Sequence, residues 1–264
     1  MNQVKAKKFL GQHFLKDLDI ARQIAQTIPT PTKTSVLEVG PGMGVLTQFL
    51  LANPSIELTC VELDRESVAY LHEHYPTLHV IDGDFLRLDL SQLFDGQFCL
   101  TGNYPYNISS QILFKALENK DKIPVITGMF QKEVAERVAS KPGKKAYGIL
   151  SVLLQAYYDV EYLFTVHEHV FDPPPKVKSA VIRLTRNQTQ SLGCDEVLFK
   201  TVVKTAFNQR RKTMRNSLRT LCENNPQLLS DSLFDMRPEQ LSVEQFVSLT
   251  NKIAQTIYKA KSGE

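Results

Sequence analysis

Short apolar segments rich in β-branched residues alternate with segments of helical spacing through the first 140 residues of the chain. Five segments have the composition of buried strands: 36–39, 58–62, 78–81, 98–101 and 125–130. Helical spacing is found over 17–28, from 45, and over 67–75, 108–117 and 132–139. Strands that alternate with helices of this length form a parallel sheet with helices on both faces. The pattern therefore predicts an α/β fold with a doubly wound sheet.

The pattern changes after residue 157. Two strand-like segments, 160–166 and 180–184, are joined by a proline-rich turn, an arrangement typical of antiparallel strands at the edge of a sheet. From Cys194 onward the spacing is helical, with breaks at Asn225-Pro226 and Arg237-Pro238. We therefore predict a sheet domain over residues 1–187 and a small all-helical domain over 188–264.

Composition restricts the class of protein. The chain has 264 residues, 42% of them hydrophobic, but no segment approaches the roughly 18 consecutive apolar residues of a membrane span. Lys5, Lys7 and Lys8 precede any apolar stretch, so no export signal is expected and we predict a cytoplasmic protein. The four cysteines form no CxxC pair and are predicted to be free thiols. Nothing in the sequence requires more than a monomer.

Two HxH pairs are the only pattern that suggests a metal. They are His72 with His74, and His167 with His169. Neither pair has a nearby cysteine or a third ligand at a recognisable spacing. We therefore expect no metal site.

A glycine-rich segment, VLEVGPGMGVLT, joins the first predicted strand of the sheet to the helix after it. Gly40, Gly42 and Gly44 lie at the edge where α/β sheets bind ligands, and glycine lets a ligand approach the backbone closely. A dinucleotide fingerprint requires a third glycine or an alanine at position 45, which is Val45 here. The spacing therefore favours a nucleoside cofactor without a pyrophosphate, and S-adenosylmethionine over NAD.

Carboxylates follow the next two strands. Glu62 lies 22 residues after Gly40, where an acidic side chain can accept hydrogen bonds from ribose hydroxyls. Asp84 follows the third strand and can accept from an adenine amino group while Phe85 packs nearby. A single aspartate in a loop is more often a turn or cap residue. The glycine-rich segment, Glu62 and Asp84 lie at three successive strand ends, however, and together they favour a cofactor cleft.

The segment TGNYPYNIS, residues 101–109, follows the fourth strand beside the predicted cleft. The side-chain oxygen of Asn103 and the main-chain carbonyl of Pro105 can accept the two hydrogens of an adenine N6 amine, which turns its lone pair toward a methyl donor. The ring of Tyr106 can stack on an extruded base. A tyrosine after a proline in a loop is also commonly a packing residue, so spacing alone leaves both interpretations open.

A basic stretch runs from Lys204 to Arg219, with six basic residues and no acidic one. Its spacing predicts a helix on which Arg211, Arg215 and Arg219 share one face. Such a run is often only a solvated charged face, but next to a site that modifies a base, phosphate binding is the better interpretation. The predicted RNA-binding residues are Arg210, Arg211, Lys212 and Arg215.

Five segments, in order, resemble the ribosomal RNA adenine dimethylases, and most closely the bacterial small-subunit enzymes. They are LGQHFL (10–15), EVGPGMG (38–44), NYPYNIS (103–109), FDPPPKVKSAV (171–181) and NQRRKTMRNSL (208–218). The resemblance implies a Rossmann-like class I methyltransferase sheet, mostly parallel with an antiparallel edge, and S-adenosylmethionine as cofactor. It also implies dimethylation of N6 on two adjacent adenosines in the 3′-terminal hairpin of small-subunit rRNA, late in assembly of that subunit.

The resemblance also implies roles for residues at matching positions. Asn103 and Tyr106 would hold the target base, and Phe171 would stack on its other side. The cofactor-binding residues would be His13, Leu15, Gly40, Gly42, Glu62, Asp84 and Asn103. Two positions depart from the family pattern. Position 13 is usually asparagine, and the common NLPY is NYPY here, where we expect Tyr104 to be a packing change.

Three alternative functions fit parts of the same pattern. A large-subunit rRNA adenine N6-methyltransferase shares the cofactor and NxPY motifs, but the RRKTMRNSL segment and the long helical C-terminal part argue against it. An assembly factor that mainly binds the immature subunit is disfavoured by the intact Gly40, Glu62, Asp84 and Asn103. An NAD-linked oxidoreductase is disfavoured by Val45.

Overall fold

The computed structural model describes residues 4–222 and 226–262, which form two compact units. The first unit comprises the chain up to Ala135 together with Asp159–Arg186. The second comprises Glu136–Tyr158 together with the chain from Asn187 onward. The predicted boundary after residue 187 lies one residue from one of these junctions, but residues 136–158, which were predicted to belong to the sheet domain, group with the C-terminal unit.

Seven strands form one sheet, in the order β4-β3-β2-β5-β6-β9-β7, and β1 pairs separately with β8. The strands are β1 (Phe14–Leu15), β2 (Thr34–Val39), β3 (Ile56–Glu62), β4 (His79–Asp82), β5 (Cys99–Thr101), β6 (Val125–Gln131), β7 (Tyr158–Val166), β8 (Phe171–Asp172) and β9 (Ser179–Arg186). Strands β2 to β6 pair in parallel, and β9 pairs antiparallel to β6. The predicted mostly parallel sheet with an antiparallel edge is confirmed.

Burial explains why the central strands read as continuous apolar runs. Val36, Leu37 and Val39 of β2 are all buried, as are the first six residues of β6, because helices cover both faces of a parallel sheet. The helices that begin in this unit are α1 (Leu18–Ala25), α2 (Thr47–Leu51), α3 (Arg65–His74), α4 (Ser109–Glu118) and α5 (Lys132–Ala139). Asp17 and Asp64 cap the first turns of α1 and α3 by accepting backbone N–H bonds.

The order of the strands positions the site. The chain builds β2, β3 and β4 outward in one direction and then returns to add β5 on the other side of β2. The loops that follow β2 and β5 therefore diverge, which leaves a crevice at the carboxyl ends of these strands. The ends of β2 and β5 approach each other closely there. A Cβ atom on Gly102, which follows β5, would lie 2.5 Å from the carbonyl oxygen of Val39 in β2.

The second unit is helical. Its helices are α6 (Ile149–Gln155), α7 (Glu196–Asn208), α8 (Met214–Ser217) and α9 (Val243–Ser262), with short 3-10 helices between residues 219 and 240. Helix α7 packs against α6 and α9, and the buried Phe246, Leu249 and Ile253 form one face of α9. Within the described ranges, each helix is too short or too polar to cross a lipid bilayer.

Helix α6 was not predicted from the sequence. Residues 150–154 are all buried. The segment ILSVLLQ is apolar around its circumference except at Ser151 and Gln155, so it lacks the periodicity of a helix with one exposed face. Both polar side chains bond to main-chain carbonyls, Ser151 to that of Arg137 and Gln155 to those of Val138 and Ser140.

The prediction of one continuous basic helix is wrong. Helix α7 ends at Asn208, so Arg211 lies in a turn, Arg215 in α8 and Arg219 in a 3-10 helix, and the three do not share a helical face. A hydrogen bond between segments distant in sequence holds the chain in this path. The N–H of Met214 donates to the carbonyl of Met236 over 2.8 Å. The predicted break at Asn225-Pro226 lies partly outside the described residues.

Candidate active site

A cleft of about 910 Å³, counted together with the space open to solvent, lies at the carboxyl ends of β2, β3, β4 and β5. Gly40 and Gly42 follow β2, Glu62 ends β3, and Asp84 and Asn103 follow β4 and β5, and all five line this cleft. The N-terminal segment 10–14 also lines it. The structure thus brings the residues predicted at successive strand ends into one cavity.

The glycine loop and Glu62 hold each other in place. Gly42 has φ +57, and a Cβ atom there would lie 2.9 Å from the ring of Phe14, so a larger residue would be strained and would collide. Its N–H donates to Oε2 of Glu62 over 3.0 Å, and the N–H of Asp64 donates to Oε1 over 2.8 Å. The Glu62 carboxyl is 5% exposed, and burial raises its pKa. Each oxygen keeps a lone pair for a ribose hydroxyl.

Asp84 is both a cap and a lining residue. Its Oδ1 accepts from the N–H of Leu86 over 2.9 Å, which caps the 3-10 helix at 85–87. Oδ2 lies 3.6 Å from Nε of Arg87, and the side chain is 30% exposed. Phe85 is buried and lines the same part of the cleft. The carboxylate therefore remains available to a polar group of a bound ligand beside an apolar wall.

The orientation of the Asn103 amide is fixed by the N-terminal segment. Nδ2 of Asn103 donates to the main-chain carbonyl of His13 over 3.1 Å. The backbone at Asn103 forms a parallel bridge with Met129, and the N–H of Tyr104 donates to the carbonyl of Met129 over 3.1 Å. Oδ1 of Asn103 has no hydrogen-bond partner among residues 4–222 and 226–262. The side chain therefore offers an acceptor, and not a donor, to the cleft.

In this loop Tyr104 is a packing residue, whereas Pro105 offers a main-chain carbonyl. Tyr104 is 1% exposed, stacks on Phe130 at 4.4 Å and donates its hydroxyl to the carbonyl of Thr127, which agrees with the packing role expected for it. The carbonyl of Pro105 accepts from the N–H of Ile108 at 3.3 Å and keeps a second lone pair.

Tyr106 lines the cleft with its ring. Its centroid lies 5.2 Å from that of the His13 ring, and its hydroxyl is hydrogen-bonded to Oγ of Ser179. Burial raises the pKa of this phenol, so it stays neutral near pH 7. The ring is therefore held by its hydroxyl end, with an aromatic surface in the cleft.

Two predicted site residues are not brought to the cleft. Leu15 and Phe171 are paired across β1 and β8, and they are 4% and 1% exposed in the hydrophobic core of the first unit. Because this pairing turns both side chains into the core, neither lines the cavity. His13, which directly precedes β1, does line it, and its Nδ1 lies 2.7 Å from the carbonyl oxygen of Pro173.

The four predicted RNA-binding residues lie in the second unit. The guanidinium of Arg210 donates to the carbonyl of Lys145, and Arg215 forms an ion pair with Asp235. Arg211 and Lys212 are exposed in the turn after α7, without a carboxylate partner in the part of the chain that the structure describes. Two of the four positive charges are therefore already engaged within the protein.

The sequence model of one family, described as ribosomal RNA adenine dimethylase, matches residues 3–255. The chain belongs to this family. A ribosomal RNA small subunit methyltransferase A of Bacteroides thetaiotaomicron is 65% identical over 98% of each chain. The membership confirms the predictions of an adenine methyltransferase, of S-adenosylmethionine as its cofactor and of ribosomal RNA as its substrate, and it is incompatible with the NAD-linked alternative.

Solved structures share the fold of this dimethylase. A dimethyladenosine transferase from Plasmodium falciparum superposes with a TM-score of 0.75 at 24% identity, covering 92% of this chain and 98% of its own. The 23S rRNA methyltransferase ErmE superposes with a TM-score of 0.67 at 25% identity, covering 90% and 99%. The predicted class I methyltransferase fold is confirmed.

Glu38, a titratable residue of β2 just before the glycine loop, was not predicted from the sequence. Glu38 is 1% exposed in β2 and accepts from the hydroxyl of Thr47 over 2.7 Å and from the thiol of Cys60 over 3.5 Å. Burial raises the pKa of its carboxyl to about 7. The signal was present in the sequence, since an acidic residue interrupts the apolar strand VLEV.

Replacing Glu38 with glutamine should flatten the pH dependence of stability. Because burial raises the Glu38 pKa from 4.5 to about 7, the carboxyl holds its proton more tightly in the folded protein than in the unfolded chain. The contribution of Glu38 to the free energy of unfolding is therefore full below pH 4.5 and is lost as the pH rises to about 7. The loss is on the order of 3 kcal/mol. Urea unfolding at pH 5 and pH 8 should show Glu38→Gln gaining stability relative to the natural protein at the higher pH. Parallel pH curves for the two proteins would contradict this assignment.

Proposed function

We propose that this protein dimethylates N6 of two adjacent adenosines in the 3′-terminal hairpin of small-subunit (16S) rRNA, as a step in small-subunit biogenesis. The name of the relative that is 65% identical supports the small subunit as the target. The 23S rRNA methyltransferase ErmE is 25% identical, so the large-subunit alternative has weaker support. The intact cleft disfavours a factor that acts only by binding.

The observation that carries the proposed chemistry is the orientation of the Asn103 amide. With Nδ2 bonded to the His13 carbonyl, Oδ1 is the atom available to a ligand. An adenine N6 amine has two hydrogens and a lone pair delocalised into the ring, so acceptors that hold the hydrogens improve it as a nucleophile. Asn103 Oδ1 takes one hydrogen, and the free lone pair of the Pro105 carbonyl takes the other.

The cleft fits the cofactor of the family. S-adenosylmethionine, when bound, supplies an electrophilic methyl group. Glu62 offers carboxylate oxygens to the ribose hydroxyls, Asp84 offers an acceptor to the adenine amino group, and the backbone at Gly40 and Gly42 permits close approach. His13 and Asn103 line the remaining wall beside this position.

The target base is held by stacking and then loses a proton to solvent. The ring of Tyr106 stacks on the extruded adenine, a contact worth roughly 1–3 kcal/mol. Transfer would break the bond between the methyl carbon and the cofactor sulfur as the N–C bond forms, which would leave S-adenosylhomocysteine as a neutral thioether. The methylated nitrogen would then carry the positive charge and be strongly acidic, so water accepts its proton and no basic side chain is needed. Rate enhancement therefore depends on positioning and on the oriented acceptors.

Replacing Asn103 with alanine removes the oriented acceptor and should lower turnover by about 100-fold or more. The fold should persist, with a thermal unfolding transition lowered by only a few degrees, because the backbone bridge to Met129 does not involve the side chain and only the bond to the His13 carbonyl is lost. Asn119→Ala is a matched control, since the amide of Asn119 donates to the Lys115 carbonyl outside the cleft. Turnover of the Asn103→Ala protein equal to that of the control would remove Asn103 from the mechanism.

The proposed partner is an immature small subunit in the cytoplasm, bound by the protein as a monomer. A single chain builds the whole cleft, which is consistent with a monomer. The exposed Arg211 and Lys212 are proposed as the main phosphate contacts of the second unit, with Arg210 and Arg215 in supporting positions. Binding through phosphates weakens steeply with salt.

Replacing Arg211 with glutamine should weaken small-subunit binding several-fold and reduce the slope of log affinity against log salt by about 1. Affinity for S-adenosylmethionine should not change. Arg65→Gln removes an exposed charge from α3 in the first unit and is the matched control. An unchanged salt slope in Arg211→Gln would argue against a phosphate contact at this position.

The target itself is tested by incubating the protein with labelled S-adenosylmethionine and small subunits that lack the modification. Mass spectrometry of nuclease fragments should locate dimethyladenosine at two adjacent positions of the 3′-terminal hairpin. Large subunits serve as the parallel substrate. Label in large-subunit rRNA alone would support the rival target, and no label in either would contradict the proposed function.

A further inference from the structure

An exposed phenylalanine stands at the rim of the cleft. Residues 8–10 form one 3-10 turn that ends at Gly11 in the left-handed conformation, φ +66. Leu10 and Gly11 line the cleft, whereas Phe9 beside them is 77% exposed. Isolated exposed apolar residues are common in proteins, so the surroundings of Phe9 decide its meaning.

The backbone that carries Phe9 is anchored on both sides. The carbonyl of Phe9 accepts from Nδ2 of Asn107 over 3.4 Å, and Asn107 directly follows the stacking residue Tyr106. Lys7 forms ion pairs with Asp64 and with Glu66, and its N–H donates to the side chain of Gln12 over 2.7 Å. The ring therefore projects to solvent from a fixed turn.

Lysines flank Phe9 in the sequence. Lys5 and Lys8 are exposed, and neither has a carboxylate partner within the described ranges. Lys7, between them, is occupied by Asp64 and Glu66. Unpaired ammonium groups beside an exposed aromatic ring are the combination that binds unpaired nucleic acid, because phosphates meet the charges and bases stack on the ring.

We propose that Phe9 is a second stacking surface, which holds the unpaired adenosine next to the one bound against Tyr106. This inference rests on the proposed function, in which two adjacent adenosines enter the same cleft in turn. While one occupies the cleft, its neighbour lies outside at the rim. Phe9 is placed there by Leu10, Gly11 and Asn107, and Lys5 and Lys8 face the connecting phosphates.

The first test separates RNA binding from cofactor binding. Phe9→Ala should raise KM for unmodified small subunits roughly 5- to 150-fold, the range that corresponds to the loss of one base stack. The affinity for S-adenosylmethionine, measured by titration calorimetry, should be unchanged. Phe9→Tyr keeps the ring and should restore KM. Leu18→Ala, which truncates an exposed apolar residue of α1, is the matched control.

A spectroscopic test detects the stack itself. The chain has no tryptophan, so Phe9→Trp introduces a single indole, and Leu18→Trp gives a control probe. The RNA is a protein-free hairpin with two adjacent loop adenosines, end-labelled so that anisotropy reports saturation. At saturation, indole fluorescence at position 9 should be quenched, and an abasic nucleotide in place of one adenosine should reduce the quenching. The probe at position 18 should not respond.

The outcomes separate this inference from the function it rests on. If the natural protein does not methylate adjacent adenosines, the proposed function fails. If it does, while Phe9→Ala has an unchanged KM and the indole at position 9 is not quenched by saturating RNA, only the stacking surface is refuted. A weakened affinity of Phe9→Ala for S-adenosylmethionine equal to its rise in KM would instead make Phe9 part of the cofactor site.

Discussion

The hydrogen bond from Nδ2 of Asn103 to the carbonyl of His13 determines what the cleft can do. An amide side chain offers a donor on one side and an acceptor on the other, and the two ends have nearly the same shape. Because the His13 carbonyl takes the donor, the acceptor faces the ligand. The short pairing of β1 with β8 holds the N-terminal segment in position for this contact. The chemistry of the strand-end loop thus depends on a segment 90 residues earlier in the chain.

The fold of the first unit could be predicted from the sequence because its strands are covered on both faces. Burial on both faces makes such strands continuous apolar runs, as in β2 and β6, and helical spacing separates them. The second unit shows where this reasoning stops. Helix α6 is buried around most of its surface and has no clear period, and hydrogen bonds distant in sequence, such as Met214 to Met236, break the basic segment into separate elements.

The candidate site was predictable where it depends on strand ends and was not where it depends on side-chain direction. Gly40, Glu62, Asp84 and Asn103 converge because parallel strands end at one edge. Family resemblance cannot say which way a side chain points, and the β1–β8 pairing places Leu15 and Phe171 in the core. Likewise, the sequence shows Phe9 in a basic segment, but only the turn at 8–10 shows that its ring faces solvent.

The role of the Asn103 amide is tested most directly by a structure of the protein bound to S-adenosylhomocysteine and an RNA hairpin that carries the two adenosines. We expect N6 of one adenine within hydrogen-bonding distance of Asn103 Oδ1 and of the Pro105 carbonyl, with Nδ2 still bonded to the His13 carbonyl. An adenine placed elsewhere, or an Asn103 amide that turns Nδ2 toward the base, would contradict it.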